Sequence, residues 1–423
     1  MKYKIVFSCF LLMSFGISGY SGKVKSCNYE EKEKIKPGAS RFDCYLPLLR
    51  GKSVAIFANQ TSTLGNVHVV DTLLRLGVSI KKIFAPEHGF RGTGDAGENI
   101  ASQVDAKTGI SIISLYGSKT KPSAEDLQDV DIMIFDIQDV GVRFYTYISS
   151  LQKYLEAAVD NKKWLILLDR PNPNGFYVDG PVLDTGFRSF VGMQPIPVVY
   201  GMTIGEYARM LIHENWITKA NPTINILIDK DWKRNATDGS LPPEGGLLIV
   251  RCSGYTHSSK YKLPIKPSPN LPNMQSIYLY PSLCFFEGTE ISLGRGTDKP
   301  FQQFGSPSFP KTPYQFTPKS LAGAKNPPLL NQTCYGYDLS KLNQEQFAGR
   351  LQLKWLLKAY QLYPDRKSFF LTSNFFNKLA GSEKLKEQMM MGQSEAEIRK
   401  SWKNDIERFK IIRKRNLLYP DFE

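Results

Sequence analysis

Residues 131–139 read Asp131-Ile132-Met133-Ile134-Phe135-Asp136-Ile137-Gln138-Asp139. The apolar run is unbroken, does not alternate, and is too short for a buried helix. That describes a strand covered on both faces, the mark of a parallel sheet with helices packed on each side. The same pattern repeats outward from it. Upstream, residues 54–58 and 80–85 are buried strands, 70–76 is a helix closed by Gly77, and 110–116 is a further candidate strand. Ser123-Ala124-Glu125-Asp126 has the form of a capped helix start. Downstream come a helix at 151–159 and a strand at 164–168. A helix at 207–214 follows the capping-box pattern Thr203-Ile204-Gly205-Glu206, and a strand follows at 224–228. Strands alternating with helices in this way predict an α/β domain with a mostly parallel sheet.

Beyond about residue 230 the pattern changes. Residues 262–330 are rich in Pro, Gly, Ser and Asn, and helical periodicity returns at 351–362 and 382–392. This predicts a main domain over 45–262 and a smaller, loop-rich α+β domain over 263–423. The basic cluster Arg408, Lys410, Arg413, Lys414 and Arg415 reads as the solvated face of a helix.

The start, Met1-Lys2-Tyr3-Lys4, is basic. An apolar run over 5–17 and the small residues Ser18, Gly19, Ser21 and Gly22 complete the pattern of a secretory signal peptide, assigned to 1–22. A charged linker over 23–44 follows. No later segment has the length of apolar sequence a membrane helix needs, so no transmembrane segment is expected. The expected location is outside the cytoplasm, periplasmic or associated with the cell envelope, and Cys27 is a candidate for a lipid anchor. Past Cys9 in the leader, Cys27, Cys44, Cys252, Cys284 and Cys334 are widely spaced with no C-x-x-C pair. That argues against a zinc ribbon or redox motif. An exported chain permits one disulfide, and buried thiols account for the rest. The formal charge of +14 suits an acidic substrate, an anionic surface or nucleic acid. The cations are scattered, though, with no recognition-helix or zinc-finger pattern, so nucleic acid is not an expected partner.

Ligands of open parallel sheets bind outside the carboxyl ends of the strands, and here the polar residues crowd those ends. The first strand runs into Asn59-Gln60-Thr61 and the second into Pro86-Glu87-His88-Gly89-Phe90-Arg91. The third carries Asp136, Gln138, Asp139 and Arg143, and the fourth is followed by Asp169-Arg170-Pro171-Asn172. The chain has no G-x-S-x-G turn, no Walker loop, and no G-x-G-x-x-G after its first strand. Its histidines, His68, His88, His213 and His257, are not paired at metal-ligand spacing, so neither metal nor cofactor is expected. Carboxylates among neutral hydrogen-bonding groups suit glycoside hydrolysis, in which a carboxylic acid protonates the leaving oxygen. Glu87 lies between a buried strand and Phe90, a setting that can hold a proton, and is the leading candidate acid. His88 beside it can orient a carboxylate or bond substrate.

Three of these stretches, 85–92, 135–147 and 168–173, closely resemble the exo-β-N-acetylmuramidase family of NamZ type. So do Gly180-Pro181-Val182-Leu183, Pro267-Ser268-Pro269-Asn270-Leu271-Pro272, and Phe286-Glu287-Gly288-Thr289-Glu290-Ile291-Ser292-Leu293-Gly294-Arg295-Gly296-Thr297. The resemblance covers nearly all of the mature chain in the same order. It implies a Rossmann-like first domain, a smaller second domain, an active-site cleft between them, and release of N-acetylmuramic acid (MurNAc) from the non-reducing end of MurNAc-GlcNAc glycans. Leu293 departs from it, standing where that motif usually has Glu.

The resemblance and the strand-tip reading agree on Glu87. Asp136 and Asp139 are candidates for a second catalytic group, with Glu287 next, and Asp136 can equally accept backbone bonds at its turn. Arg143 and Arg295 are candidate readers of the lactyl carboxylate of MurNAc, or ties from a loop to an Asp. Tyr145 and Tyr147 can stack on the sugar or belong to the core. Asn59, Gln60, Arg91, Gln138, Arg170, Asn172, Asn270, Glu290 and Thr297 complete the expected substrate contacts. Two other readings stay open: a hydrolase acting on another wall sugar or a nucleotide-sugar-like substrate, and a non-catalytic wall-sugar binding protein on the same scaffold.

Overall fold

The computed structural model describes residues 34–87, 89–91, 103–217, 224–235 and 241–423. The expected signal peptide, Cys27 and the first part of the expected linker lie outside the described residues. So does His88.

An eight-stranded sheet is the frame of the chain. Its strands are β1 (Ser53–Ala58), β2 (Ser79–Ala85), β3 (Gln103–Val104), β4 (Ser111–Ser114), β5 (Ile132–Asp136), β6 (Trp164–Leu168), β7 (Asn225–Ile228) and β8 (Gly246–Val250). Their spatial order is β3-β4-β2-β1-β5-β6-β8-β7. Only the β3–β4 edge pair is antiparallel. The chain builds to one side of β1 through β2, then crosses to the other side through β5. That reversal is the switch point at which doubly wound sheets open a crevice.

Strand alternation divides the core into two layers. Ala55, Phe57, Met133, Phe135, Leu165 and Leu167 face one side, where helix α2 (Tyr147–Asp160) and helix α3 (Ile204–His213) pack. Tyr154 of α2 stacks on Phe57 with ring centres 5.1 Å apart. Val54, Ile56, Ile132, Ile134, Ile166 and Leu168 face the other side, against helix α1 (Val69–Arg75) and the short turns around residues 38–49. Residues 34–44, expected as the end of a linker, are part of this second layer. Ala39 and Cys44 are fully buried, and Lys36 bridges to Ser253.

Strand β8 escaped the sequence reading because it opens on Gly245-Gly246, which looks like a turn. The structure requires glycine at Gly246: a Cβ there would sit 2.5 Å from the Asn225 carbonyl oxygen.

After β8 the chain enters helix α4 (Met274–Leu283) and a three-stranded antiparallel sheet of β9 (Gln303–Ser306), β10 (Gln315–Phe316) and β11 (Cys334–Asp338). Helices α5 (Lys354–Leu362), α6 (Phe375–Ala380), α7 (Lys384–Met390) and α8 (Glu395–Asn416) follow. Residues 34–423 form one compact unit. Its two halves share a core, as where Phe144 packs edge-on against Tyr280 and Phe285. Arg413 departs from the solvated face expected of α8. It is 1% exposed, pairs with Asp421 at 2.7 Å, and donates to the Gly201 carbonyl. Residues 417–421 then lie across the first half. Leu418 N–H donates to Glu206 Oε1 (2.7 Å), the Tyr419 hydroxyl donates to Asp169 Oδ2 (2.6 Å), and the Pro420 carbonyl accepts from His257 N–H. Cys44, Cys252, Cys284 and Cys334 are free, buried thiols. No described helix is long and apolar enough to cross a membrane.

At the carboxyl edge of the sheet, Asp136 closes β5 with no solvent exposure. Arg170, two residues past the end of β6, meets it with two bonds, Nε to Oδ1 (2.6 Å) and Nη2 to Oδ2 (2.9 Å). Removing one partner of a buried pair strands the other charge and costs about 3–5 kcal/mol, whereas an apolar pair of similar volume leaves no lone charge. Arg170→Met should therefore lower unfolding stability by about that amount. The double variant Asp136→Leu/Arg170→Met should lose less than the single variant when both are measured by urea denaturation.

Candidate active site

A cavity of about 620 Å³ lies where the carboxyl ends of β2 and β4 meet the second half of the chain. Glu87 enters it two residues after β2, on a turn in which Gly89 takes a φ of 74°. Tyr116 enters two residues after β4, and Thr146 and Tyr147 line it from the start of α2. Glu87 is half-buried. Its Oε1 accepts from the Tyr116 hydroxyl at 3.1 Å, and its Oε2 is 3.5 Å from Thr146 Oγ1. Burial and the neighbouring Glu87 charge push the Tyr116 phenol up, so it keeps its proton and stays a donor.

Tyr145 and Tyr147 also line the cavity and pack edge-to-face against each other, 4.8 Å between centres. Each is fixed from behind. The Tyr147 hydroxyl accepts from Asn59 Nδ2 (2.9 Å), and the Tyr145 hydroxyl donates to the Pro267 carbonyl (2.7 Å). Gln60 Nε2 donates to that same carbonyl (3.1 Å). Asn59 and Gln60 therefore support the wall and are not part of its lining.

Residues 286–295 contribute a second stretch of the lining. Glu287, Glu290 and Arg295 all line the cavity. Arg295 bonds Glu287 Oε1 through Nε (2.7 Å) and Nη2 (2.5 Å), and its guanidinium lies 5.0 Å from the centre of the Phe301 ring. Burial works against the charge on Arg295, but the Glu287 carboxylate outweighs it and holds the guanidinium charged. Arg295 Nη1 is buried and has no hydrogen-bond partner. Asn270 lines the cavity too, with its side-chain amide donating to the Gly323 carbonyl (2.8 Å).

The structure moves several expected site residues elsewhere. Asp136 and Arg170 are spent on each other and are not part of the cavity lining. Gln138 Nε2 donates to the carbonyls of Asp139 and Pro171, and Asn172 joins Met202 to Asn174. Arg91 forms a forked pair with Asp105, and Thr297 closes its own loop on the Gly294 carbonyl. Arg143, expected to read a carboxylate, is fully buried outside the cavity lining. It donates to the carbonyls of Pro181 (2.8 Å), Ile196 (2.8 Å) and Leu379 (2.7 Å), bracing the two halves. Burial without an acid partner lowers its pKa to about 9. Tyr116 and Thr146 were missed by the sequence reading. Tyr116 obeys the same strand-tip rule as Glu87, but its strand ends in neutral residues and drew no attention.

A family model described as the N-terminal part of exo-beta-N-acetylmuramidase NamZ matches residues 54–275, and the model of its C-terminal part matches 278–419. The chain belongs to the NamZ exo-β-N-acetylmuramidase family. As a NamZ-family member it is a glycoside hydrolase. It is 35% identical over 431 residues to the peptidoglycan beta-N-acetylmuramidase NamZ of Bacillus subtilis (strain 168), covering 96% of this chain and 97% of that one. Two solved structures of DUF1343 family proteins from Bacteroides fragilis NCTC 9343 share its fold. The first has a TM-score of 0.79 and 43% identity, over 92% of this chain and 99% of that one. The second has a TM-score of 0.74 and 26% identity, over 91% and 99%. The NamZ-family fold thus has the Rossmann-like first part and smaller second part expected of it.

Asp139 is buried and is not part of the cavity lining. Its Oδ2 accepts from the Tyr200 hydroxyl and from Gly141 N–H, and its Oδ1 has no partner. Burial dominates and raises its pKa from 3.8 to about 6. The unfolded chain gives up this proton near 3.8 while the folded chain holds it to about 6. The stability it contributes is therefore full below about pH 4 and is lost as pH rises through 6. Asp139→Asn cannot ionise. Relative to the wild type, it should be more stable at about pH 7.5 than at about pH 4.5 in urea titrations; an equal difference at both values would show that this carboxyl does not titrate in that window.

Proposed function

We propose that this chain removes MurNAc from the non-reducing ends of peptidoglycan fragments, with Glu87 as the acid that protonates the leaving oxygen. We further place the enzyme outside the cytoplasm, in the periplasm or on the envelope, where it serves wall turnover and recycling. The observation that carries the reading is that one cavity is lined both by a hydrogen-bonded carboxylate, Glu87, and by a charged arginine, Arg295, with an unused N–H. The cavity volume suits a small sugar ligand. Several apolar side chains, among them Phe286, Leu293, Phe301 and Phe375, line it, and such surfaces pack on sugar-ring C–H groups and exclude water.

MurNAc differs from N-acetylglucosamine by a lactyl ether that ends in a carboxylate. Arg295 Nη1 is the natural donor to that carboxylate, since a buried, unsatisfied guanidinium N–H gains most from an anionic acceptor. Glu287 then has a positioning task, holding the guanidinium in place through Nε and Nη2.

An aryl MurNAc glycoside and its N-acetylglucosamine counterpart test the reading together. The wild type should release the aryl group from the first, and Glu87→Gln should lower kcat by about a hundred- to ten-thousandfold, the range of general acid catalysis. Arg295→Met should narrow the preference for the MurNAc substrate by about ten- to a hundredfold, the worth of one charged hydrogen bond. Equal wild-type rates on both glycosides would point to a hydrolase of another wall sugar. Release from neither, with MurNAc still raising the melting temperature, would point to a binding protein.

A further inference from the structure

Protonating the leaving oxygen is half of a glycoside hydrolysis. As the bond to the anomeric carbon lengthens, positive charge grows on that carbon and the ring oxygen, and a second group on the opposite face must meet it. Glu87, Glu287 and Glu290 are the carboxylates that line the cavity among the described residues. The strand-tip acids Asp136 and Asp139 are buried outside it, and each already holds donors. Glu287 is committed as well: Oε1 takes both bonds from Arg295, and Oε2 faces the Cys284 thiol at 3.6 Å.

Glu290 differs from all of these. Its carboxylate has no hydrogen bond or ion pair among the described residues, and yet the backbone that carries it is fixed. Its N–H donates to the Phe369 carbonyl (3.0 Å), Thr289 before it bridges to Phe370, and Thr289 and Ile291 on either side are buried. A group held by its backbone, open to the cavity and not engaged by a neighbour is free to act on substrate.

We propose that Glu290 is the second catalytic carboxylate of this site, working opposite Glu87. The proposal rests on the hydrolase reading above. Glu87 gives its proton to the glycosidic oxygen, which leaves with the electron pair of the broken bond to the anomeric carbon. A water oxygen bonds that carbon from the other face, and its proton passes to Glu290. The sum is the addition of one water across the glycosidic bond. Glu87 ends deprotonated and Glu290 protonated, and exchange with solvent resets both.

The test uses the full chain and the aryl MurNAc glycoside. Glu290→Ala should lower kcat by about a hundredfold or more with little change in KM. Azide, a small anion that needs no base, should restore turnover and yield the α-glycosyl azide. The isosteric Glu290→Gln should show the same loss without azide rescue, since its amide fills the space. A melting temperature near that of the wild type in either variant shows that the loss is not unfolding. Retention of most of the rate in Glu290→Ala, or a loss that azide does not restore, would overturn the assignment. Wild-type failure to cleave the glycoside would instead overturn the hydrolase reading itself, so the two ideas fail separately.

Discussion

The carboxyl edge of the sheet must find partners for charged groups that its apolar strands carry into a dry interior. Asp136 shows the constraint in its simplest form. It follows Ile132-Met133-Ile134-Phe135 directly and has no solvent exposure. An isolated carboxylate there would be prohibitive, and Arg170 removes the problem with two parallel bonds. The neighbouring groups follow suit. Asp169, next to Arg170 in the chain, accepts from Thr203, Gly205 and Tyr419. Asn59 accepts from both the N–H and the hydroxyl of Thr61. The central strands thus end in a closed, self-satisfied floor. The groups that line the cavity come from the ends of β2 and β4, from the segment 144–147 that leads into α2, and from the second half of the chain.

That division explains how much the sequence could disclose. Most of the sheet was legible because burial on both faces writes an unbroken apolar run, as at β1, β5 and β6. β8 was not, because its start needs a glycine for close approach to Asn225, and glycine pairs look like turns. The polar crowding at the strand ends pointed to the edge of the sheet beside which the cavity lies. It did not separate residues that face a ligand from residues that face each other, because Asp136, Gln138 and Arg170 have the same composition as a binding site. Only three-dimensional pairing makes the distinction. Glu87 emerged on the right side of it, and Tyr116, a neutral residue at the tip of a neutral strand, was invisible.

The two arginines singled out from sequence make the same point with opposite outcomes. Arg143 has three carbonyl partners drawn from three separate segments, and although its Nε lacks a partner it is not part of the cavity lining. Arg295 has one partner, Glu287, and an N–H left over within a cavity wall. Identical chemistry serves once as a brace between halves and once as a candidate reader of an anion. Which task each performs depends on what else the fold brings within reach, and that depends on contacts far apart in sequence.

The bond from Tyr419 to Asp169 spans 250 residues of chain. Its donor lies in the second half of the sequence and its acceptor sits at the centre of the first, beside the ion pair that closes the sheet edge. During synthesis the α/β half can assemble its strands early, but it cannot complete the buried surroundings of Asp169, Glu206 and His257 until residues 417–421 have emerged. Loop closure over that separation is slow and contributes late. The two halves should therefore behave as one cooperative folding unit, with the first half left incomplete until the last residues of the second have joined it.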